Sequence, residues 1–403
     1  MPDICLGFEV HQPFRINRNF EREEGIGVDH ENLFDLYFDN DWNRKILERV
    51  VENCYLPSNE IILENIRRFS GEEKEFKVSF SISGVFLMQC EKWYPEVIES
   101  FQKLSDTGCV EFLDQTFYHS LASLYSSSRA EFREQVKEHR ALVDKLFNQK
   151  PRTFENTEFL YNNSISKTLD KMGYKIVFTE GARKILGWRS PHYIYKSKVS
   201  DIRTLLRDYR LSDDVAFRFS NKKWKEYPLT ADKYAEWLSS VEGDCVNIFV
   251  DYETFGEHQY PGTGIHDFLR WLPKEVLRRD NLDFVTPSDI SDRSPVGNID
   301  VDDYDTVSWA DVARGTDAWL GNSMQQYCFR KIKNIGPQVK KTGDEKLLKI
   351  WRLLQISDHL YYMYTGLGPS QEVHNYFSQQ TPFEVFEAFT NILSDFENKV
   401  LEF

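Results

Sequence analysis

Short apolar segments of strand length alternate with longer segments of helical periodicity through the first three quarters of the chain. This alternation limits the fold most strongly, because it is typical of βα units arranged around a parallel sheet. Seven or eight such strands predict a barrel. The predicted strands are Ile4–Val10, Phe76–Ile82, Cys109–Leu113, a short run around Phe154, Lys175–Thr179, Val215–Phe219, Val246–Val250 and Asp283–Val285.

Polar side chains lie just beyond the ends of most of these strands. Among them are His11, His119, Glu158 and Asp251, which follow the first, third, fourth and seventh predicted strands. Because the carboxyl ends of all strands in a parallel barrel lie on one face, side chains that are distant in sequence should meet there. The sequence therefore predicts one functional site at this face.

The chain changes character near residue 300, where strand-like runs give way to helical periodicity. We predict a catalytic barrel at residues 1–295 and an α-helical C-terminal domain at residues 296–403. Thr381 and Glu384 form a capping-box pattern at the start of an amphipathic closing helix. Another helix is predicted from Glu345 to Tyr364.

The formal net charge is −14, spread along the chain, which disfavours nucleic acid or an anionic membrane as a partner and suits a neutral substrate. No segment approaches the roughly 20 apolar residues of a membrane span, and the first residues have no basic leader pattern. We therefore expect a cytoplasmic protein. The six cysteines lie far apart and are interpreted as buried thiols rather than as disulfides or metal ligands. The oligomeric state is not predicted.

Two carboxyl groups that face each other across a pocket are the minimal apparatus for glycoside hydrolysis. Asp251 follows a strongly apolar strand beside aromatic residues, an environment that raises the pKa of a carboxyl group and suits a general acid. Glu158 has Asn156 and Thr157 as neighbouring hydrogen-bond partners, which would favour the ionised form of a nucleophile. Glu253 faces the same side as Asp251 if the strand continues, so either can be the acid, or Glu253 fixes the loop. The other competing acids are Glu257, Asp114, Glu180 and Asp289.

The histidines suggest a rival chemistry. His11, His119 and His258 follow predicted strands, and with Asp251 they would make a divalent-metal site of the kind found in barrel-type deacetylases. Their spacing is not diagnostic, and the alternative is that the imidazoles bond to sugar hydroxyls. No nucleotide-binding motif and no serine-hydrolase elbow is present in the sequence.

Taken together, the motifs around these residues resemble glycoside hydrolase family 57, in particular its α-amylase-like branch. The similar segments, in chain order, are Leu6–Phe14, Phe80–Leu87, Tyr118–Leu124, Asn156–Glu158, Gly187–Pro191, Phe249–His258, Thr286–Ser288, Ala318–Asn322 and Ser357–His359. The resemblance implies an irregular seven-stranded (β/α) barrel followed by an α-helical domain that closes over the cleft. It also implies a nucleophile at Glu158 and a general acid/base at Asp251.

The activity implied by the resemblance is that of a retaining glycosidase or transglycosylase on α-1,4-glucans, with no cofactor and no required metal. The implied substrate-binding residues are His11, His119, Trp188, Glu253, His258, Trp309 and Trp319. The three tryptophans are candidate sugar platforms, because a flat aromatic face suits a sugar ring. Trp319 is equally well interpreted as a packed interdomain residue.

Three positions depart from the family pattern. Met88 and Gln115 stand where an acidic residue is expected, and the segment Val312–Asp317 is less acidic than in relatives. These changes leave Glu158 and Asp251 intact and concern the substrate-binding shell. Two alternatives therefore stay open, a metal-dependent carbohydrate deacetylase on a similar barrel and a non-catalytic α-glucan-binding relative.

Overall fold

The computed structural model describes residues 2–125, 128–310, 312–366 and 381–402. Nine strands of the described residues form one sheet, and seven of them pair in parallel along one continuous path: β1, β2, β3, β4, β5, β7 and β8. The strands are β1 (Asp3–Val10), β2 (Val78–Ile82), β3 (Val110–Leu113), β4 (Thr153–Phe154), β5 (Ile176–Glu180), β6 (Tyr195–Ser197), β7 (Arg203–Arg207), β8 (Cys245–Asp251) and β9 (Asn298–Ile299).

The parallel strands are ordered β3-β2-β1-β8-β7-β5-β4. Asp114, directly after β3, forms a parallel bridge with Phe154 of β4 and so brings the two ends of the sheet together. The result is a nearly closed, irregular barrel of seven parallel strands, which confirms the predicted fold. β6 runs antiparallel to β7 and pairs with β9 outside this barrel.

Helices pack around the barrel and form most of the chain after residue 316. The helices among the described residues are α1 (Leu33–Tyr37), α2 (Asn40–Val50), α3 (Leu56–Arg68), α4 (Gly84–Trp93), α5 (Pro95–Ser105), α6 (Ala130–Phe147), α7 (Asn163–Lys171), α8 (Arg183–Leu186), α9 (Tyr209–Ala216), α10 (Ala231–Ser239), α11 (Ile265–Leu277), α12 (Asp317–Leu320), α13 (Ser323–Thr342), α14 (Glu345–Leu353), α15 (Asp358–Tyr361) and α16 (Pro382–Leu401). One hydrophobic core joins β1, β2 and β8 to α3, α5 and α11. A second core joins β4, β5 and β7 to α13, α14 and α16.

The predicted strand at Val215–Phe219 is wrong, because this segment overlaps the end of α9 and the strand of that unit is β7. Arginines stand at both ends of β7, so a search for apolar runs does not find it. Arg207 is accommodated in the barrel because Glu180 and Asp213 both pair with its guanidinium. The predicted strand at Asp283–Val285 is also wrong, since the segment makes only a single bridge to β1.

The predicted helix from Glu345 to Tyr364 is interrupted. α14 ends at Leu353, and α15 begins at Asp358 after a short segment in which Ile356 forms a bridge with Ser120. The closing helix begins as predicted, with Thr381 and Glu384 in a capping box. The domain boundary at residues 295 and 296 stays a prediction.

All six cysteines are buried free thiols, as predicted. Across the described ranges, no helix combines the length and apolar character needed to cross a membrane.

Candidate active site

Asp251 is the last residue of β8, where its backbone pairs with Glu9 of β1. Burial and the negative charge of Glu158 raise the pKa of Asp251 to about 7. Within the described ranges, no hydrogen bond to the Asp251 carboxyl is found. Asp251 is therefore a carboxyl group that is protonated in about half of the molecules at pH 7, and this proton is not committed to an acceptor among the described residues.

Glu158 lies in the 3₁₀ turn Thr157–Phe159, which is separated from the end of β4 by two residues, and it has a left-handed backbone at φ 60°. Its carboxylate accepts hydrogen bonds from the indole Nε1 of Trp309 at 2.7 Å and from the hydroxyl of Ser357 at 3.3 Å. The Nε2 atom of His119 is 3.5 Å from the same carboxylate. Three side chains from distant parts of the chain thus contact this carboxylate.

The neighbours that the sequence suggested for Glu158 do not bind it. Asn156 donates to Ser123 and to the carbonyl of Leu160, and Thr157 bonds to Thr116. The prediction of these two hydrogen-bond partners is wrong, because the left-handed turn points the Glu158 carboxylate toward residues that are distant in sequence. Proximity along the chain does not identify partners across a turn of this kind.

His119 lies behind Glu158 and also has a left-handed backbone, at φ 46°. Burial opposes its positive charge, but the interactions with Glu158 and Glu9 outweigh this effect and raise the pKa of His119 to about 9. The protonated Nδ1 atom donates to Gln115 at 3.0 Å and is 3.5 Å from Glu9. A cation thus stands next to the carboxylate of Glu158.

A pair of buried carboxyl groups, Glu9 and Glu155, lies next to this histidine, and the sequence analysis did not select either of them. Burial and the charge of Glu155 raise the pKa of Glu9 well above its usual value, and burial raises that of Glu155 to about 7. Glu9 Oε2 has no donor among the described residues. These observations fit a proton shared between the two carboxyls. The sequence signal that could have identified Glu9 is its position as a glutamate inside a largely apolar strand.

Gln115, one of the departures from the family pattern, connects this pair to the histidine. Its amide nitrogen donates to Glu9 and to Ser81, both at 2.8 Å, while its oxygen accepts from His119. An acidic residue here would add a third carboxyl to the buried pair. Met88, another departure, packs against the second hydrophobic core.

His11 stacks on His119, with ring centroids 3.9 Å apart and an interplanar angle of 19°. Its Nδ1 atom is 2.7 Å from Ser83, and its Nε2 atom is 3.1 Å from Asp358. Burial and the charge of His119 lower the pKa of His11 to about 4, so His11 is neutral and donates through Nε2 to Asp358. Burial alone would raise the pKa of Asp358, but its interactions with His11 and His119 lower it.

His11, His119 and Asp358 offer ligand atoms within 4.8 Å of one another, which makes them a candidate metal group. A metal bound by imidazole lies along the nitrogen lone pair, and hence in the plane of each ring. The planes of two stacked, nearly parallel rings do not meet near the rings, so no single position lies in both planes close to a nitrogen of each ring. The stack therefore does not fit one shared ion, and the four-residue set of the metal alternative, with His258 and Asp251, is not assembled here.

Glu253 does not share a face with Asp251, because the strand ends at Asp251 and the chain continues as a 3₁₀ turn. The Glu253 carboxylate is buried and accepts hydrogen bonds from Tyr55 and from the backbone nitrogen of His11. This placement favours fixation of the loop over contact with a sugar. Burial lowers the pKa of the partly buried His258 to about 4.

The three predicted tryptophan platforms have different surroundings. Trp188 is 95% exposed and follows α8, which comes after β5 at the carboxyl face of the barrel. Trp309 stacks against Phe159 and lies under the guanidinium of Arg207, so its ring is already packed. Trp319 is 1% exposed, which favours the interpretation as a packed residue.

The other competing acids have partners elsewhere. Asp114 binds His139, Arg140 and Tyr174, while Glu257 binds Arg49, Asp289 pairs with Lys77, and Glu180 pairs with Arg207 and Arg314. Asp114, Glu257 and Asp289 are therefore already paired with side chains other than those around Asp251 and Glu158. Ser357, Asp358 and the buried acids Glu9 and Glu155 are the site residues that the sequence reasoning missed.

A model of the family described as "Glycosyl hydrolase family 57" matches residues 5–302. A Methanocaldococcus jannaschii protein named "Putative alpha-amylase" is 44% identical to this chain over 409 residues. That alignment covers 99% of this chain and 85% of the relative.

Two solved structures share the fold at low sequence identity. A 4-α-glucanotransferase from Thermococcus litoralis has a TM-score of 0.67 at 16% identity, and the match covers 97% of this chain and 59% of that protein. A branching enzyme from Pyrococcus horikoshii has a TM-score of 0.66 at 15% identity, and the match covers 100% of this chain and 95% of that protein. The chain thus spans less than two thirds of the glucanotransferase.

Proposed function

Because the chain belongs to glycosyl hydrolase family 57, we propose that it is a retaining α-glucan glycosidase or glucanotransferase with Glu158 as nucleophile and Asp251 as general acid/base. The observation that carries this proposal is the contrast between two carboxyl groups at one barrel face. The pKa of Asp251 is raised to about 7, whereas the Glu158 carboxylate accepts hydrogen bonds from Trp309 and Ser357. Double displacement needs a proton on the general acid and a carboxylate at the nucleophile.

In the first step, a Glu158 carboxylate oxygen attacks the anomeric carbon and forms a glycosyl ester. The glycosidic bond breaks, and the leaving oxygen takes the proton of Asp251. The negative charge of Glu158 is consumed in this step. That charge is one cause of the raised pKa of Asp251. Once the ester has formed and the charge is gone, the pKa of Asp251 falls and its carboxylate becomes a weaker base.

In the second step, Asp251 removes a proton from the incoming hydroxyl, which attacks the anomeric carbon and releases Glu158. Water as the acceptor gives hydrolysis, and a glucan hydroxyl gives transfer. Net retention of the α configuration follows from two inversions. The proposed substrate is an α-1,4-glucan, in line with the names of the relative and of the solved structures.

Substrate-binding roles are proposed for the residues that the family resemblance suggested. His11 is partly exposed and stacks on the charged His119, so we propose that the pair lies against the bound sugar. A sugar hydroxyl that bonds to either ring nitrogen would share it with the protein partner described above. Trp188 suits stacking on a sugar ring because its face is exposed. Substrate-binding roles are also proposed for His258, Glu253, Trp309 and Trp319. The last three are buried or packed by the protein itself.

Product analysis tests the proposal. Purified protein is incubated with maltoheptaose or glycogen, and oligosaccharide products and the first-formed anomer are followed by chromatography and proton NMR. We expect redistributed or shortened oligosaccharides with retained α configuration. Glu158→Gln should lose several powers of ten in rate, because no other group can form the ester, while the exposed control Glu242→Gln keeps its rate.

A second substrate separates the two carboxyl roles. α-Maltosyl fluoride needs no proton on its leaving group, so Asp251→Asn should lose much less rate in the first step on the fluoride than on maltoheptaose. Equal losses on both substrates would contradict the acid role. Absence of any glucan product from the unmodified protein would refute the proposed function.

The alternatives have distinct outcomes in the same experiments. A stoichiometric amount of divalent metal in the purified protein, together with loss of its enzymatic activity in chelator, would favour a metal-dependent carbohydrate deacetylase. Oligosaccharide binding without turnover would favour a non-catalytic α-glucan-binding relative. We also propose a cytoplasmic location, since six unpaired cysteines suit a reducing compartment.

A further inference from the structure

The nucleophile is held by one residue of a loop that belongs to the C-terminal part of the chain. Trp309 donates its indole Nε1 to the Glu158 carboxylate at 2.7 Å and its backbone nitrogen to the Glu158 carbonyl at 3.2 Å. Glu158 and Phe159 both have left-handed backbones, at φ 60° and 58°. Non-glycine residues keep such conformations only where the surrounding contacts impose them.

The loop that carries Trp309 is closed at its base. Ser308 donates its hydroxyl to the carbonyl of Gly315, and its backbone nitrogen donates to the carbonyl of Arg314 at 3.3 Å. We call the described residues 308–310 and 312–316 the Trp309 loop. Its tip is solvent-exposed at Val312, so the packing of the tip does not hold the loop on the barrel.

Arg314 provides that attachment. Its guanidinium lies 3.1 Å from Asp213 and 3.5 Å from Glu180, and it also donates to the backbone carbonyl of Trp309. Arg314 has a left-handed backbone, at φ 51°. One side chain therefore binds both the barrel acids and the residue that presents the indole to Glu158.

The two acids are a prepared receiving site. Glu180 is fully buried at the end of β5, and Asp213 lies in α9. Arg207 of β7 pairs with both acids, at 3.0 and 2.9 Å, and its guanidinium also lies over the Trp309 ring. Two arginines thus share two acids. Burial raises the pKa of Glu180 to about 7, and both guanidiniums act against that rise.

We propose that Arg314 is a positioning residue, which fastens the Trp309 loop to Glu180 and Asp213 and thereby fixes the indole N–H on the nucleophile. The inference rests on the proposed function for its kinetic consequence, but the contact that it describes exists independently of any substrate. It gives the segment Val312–Asp317, which departs from the family pattern, a role in nucleophile placement rather than in substrate binding.

Steady-state kinetics on maltoheptaose give the first test. Arg314→Gln removes the charge and most donors, so we expect kcat to fall about 10- to 100-fold with little change in KM. Arg314→Lys should recover part of kcat, because it keeps the charge but not the forked geometry. Arg207 still pairs with both acids, so these variants should fold. The matched control is Arg68→Gln, an exposed residue at the end of α3.

A double-mutant cycle asks whether Arg314 acts through Trp309. Trp309→Phe removes the indole N–H but keeps a ring that can stack on Phe159. If the inference holds, Arg314→Gln adds little further loss of kcat to Trp309→Phe. Multiplicative losses would overturn it, because they indicate independent effects.

An NMR measurement separates this inference from the proposed function, because it requires no activity. Indole 1H–15N resonances are recorded for the full chain, and Trp309→Phe assigns the Trp309 signal by its disappearance. We expect Arg314→Gln, but not Arg68→Gln, to move that signal upfield as the hydrogen bond to Glu158 weakens. An unmoved signal overturns the inference even if the unmodified protein is fully active, whereas a moved signal supports it even if no glucan product forms.

Discussion

Replacing Glu158 by glutamine should lower the pKa of Asp251. Asp251 titrates at about 7 because of burial and, after burial, because of the negative charge on Glu158. Glu158→Gln keeps the size and hydrogen-bonding oxygen of the side chain but removes its charge. The burial of Asp251 is unchanged, so its pKa should fall without returning to the usual value of a carboxyl group.

The size of the fall follows from the Coulomb interaction. At the roughly 5.5 Å separation of carboxyls in retaining glycosidases and an effective dielectric constant of about 20, the interaction is about 3 kcal/mol, or roughly 2 pKa units. His119 also loses a negative neighbour in this variant, and its weaker positive charge offsets part of the change. We therefore expect the pKa of Asp251 to fall by about 1 unit.

Carbon NMR of protein labelled at the aspartate carboxyl measures this pKa directly. Asp251→Asn assigns the resonance, and the exposed Glu242→Gln variant is the control that should leave the titration unchanged. A midpoint below pH 5 in the unmodified protein would contradict the assignment of Asp251 as the protonated partner. An unchanged or higher midpoint in Glu158→Gln would show that the two carboxyls are not neighbours, and the paired mechanism would fail with it.

Two further predictions concern stability. The folded-state pKa of Asp251, about 7, exceeds the unfolded value, so its stabilising contribution is complete below pH ~4 and lost as the pH rises through 7. The free energy of unfolding of Asp251→Asn, measured with urea, should therefore equal that of the unmodified protein at pH 4. At pH 8 it should be higher by about 2–4 kcal/mol. Gln115→Glu removes the donor to Glu9 and adds a charge beside Glu155, so its free energy of unfolding should be lower by about 2–4 kcal/mol at pH 7 and recover in part at pH 5. Gln326→Glu, an exposed substitution, is the control, and equal stabilities for the two glutamate variants at pH 7 would contradict the account of the buried pair.

The barrel was predictable because its strands are buried on both faces. β1 and β8 read as near-continuous apolar runs, which is what a parallel strand between two neighbours requires. β7 was missed for the opposite reason, since its arginines look like surface residues until Glu180 and Asp213 are known to lie beside them. Short-range patterns report burial, but they do not report which charges will find partners.

The two carboxyl groups that we propose to react could be selected from the sequence, whereas the groups that contact them could not. Asp251 and Glu158 follow strands, and a barrel gathers strand ends at one face whatever the intervening sequence. Trp309, Ser357 and Asp358 reach the site from positions far along the chain. Trp309 was singled out as a sugar platform, but its contact with Glu158 depends on how the Trp309 loop lies on the barrel, where Arg314 pairs with Glu180 and Asp213.

The sequence alone determined the alternation of strands and helices, the placement of polar groups after strands, and the family motifs, because periodicity and local order are properties of the chain. Tertiary structure decided the protonation of Asp251, the pairing of Glu9 with Glu155, and the stack of His11 on His119. Each of these depends on burial and on charges brought close in space. Such interactions vary with distance and dielectric environment, and neither quantity is set until the barrel and the C-terminal helices have packed together.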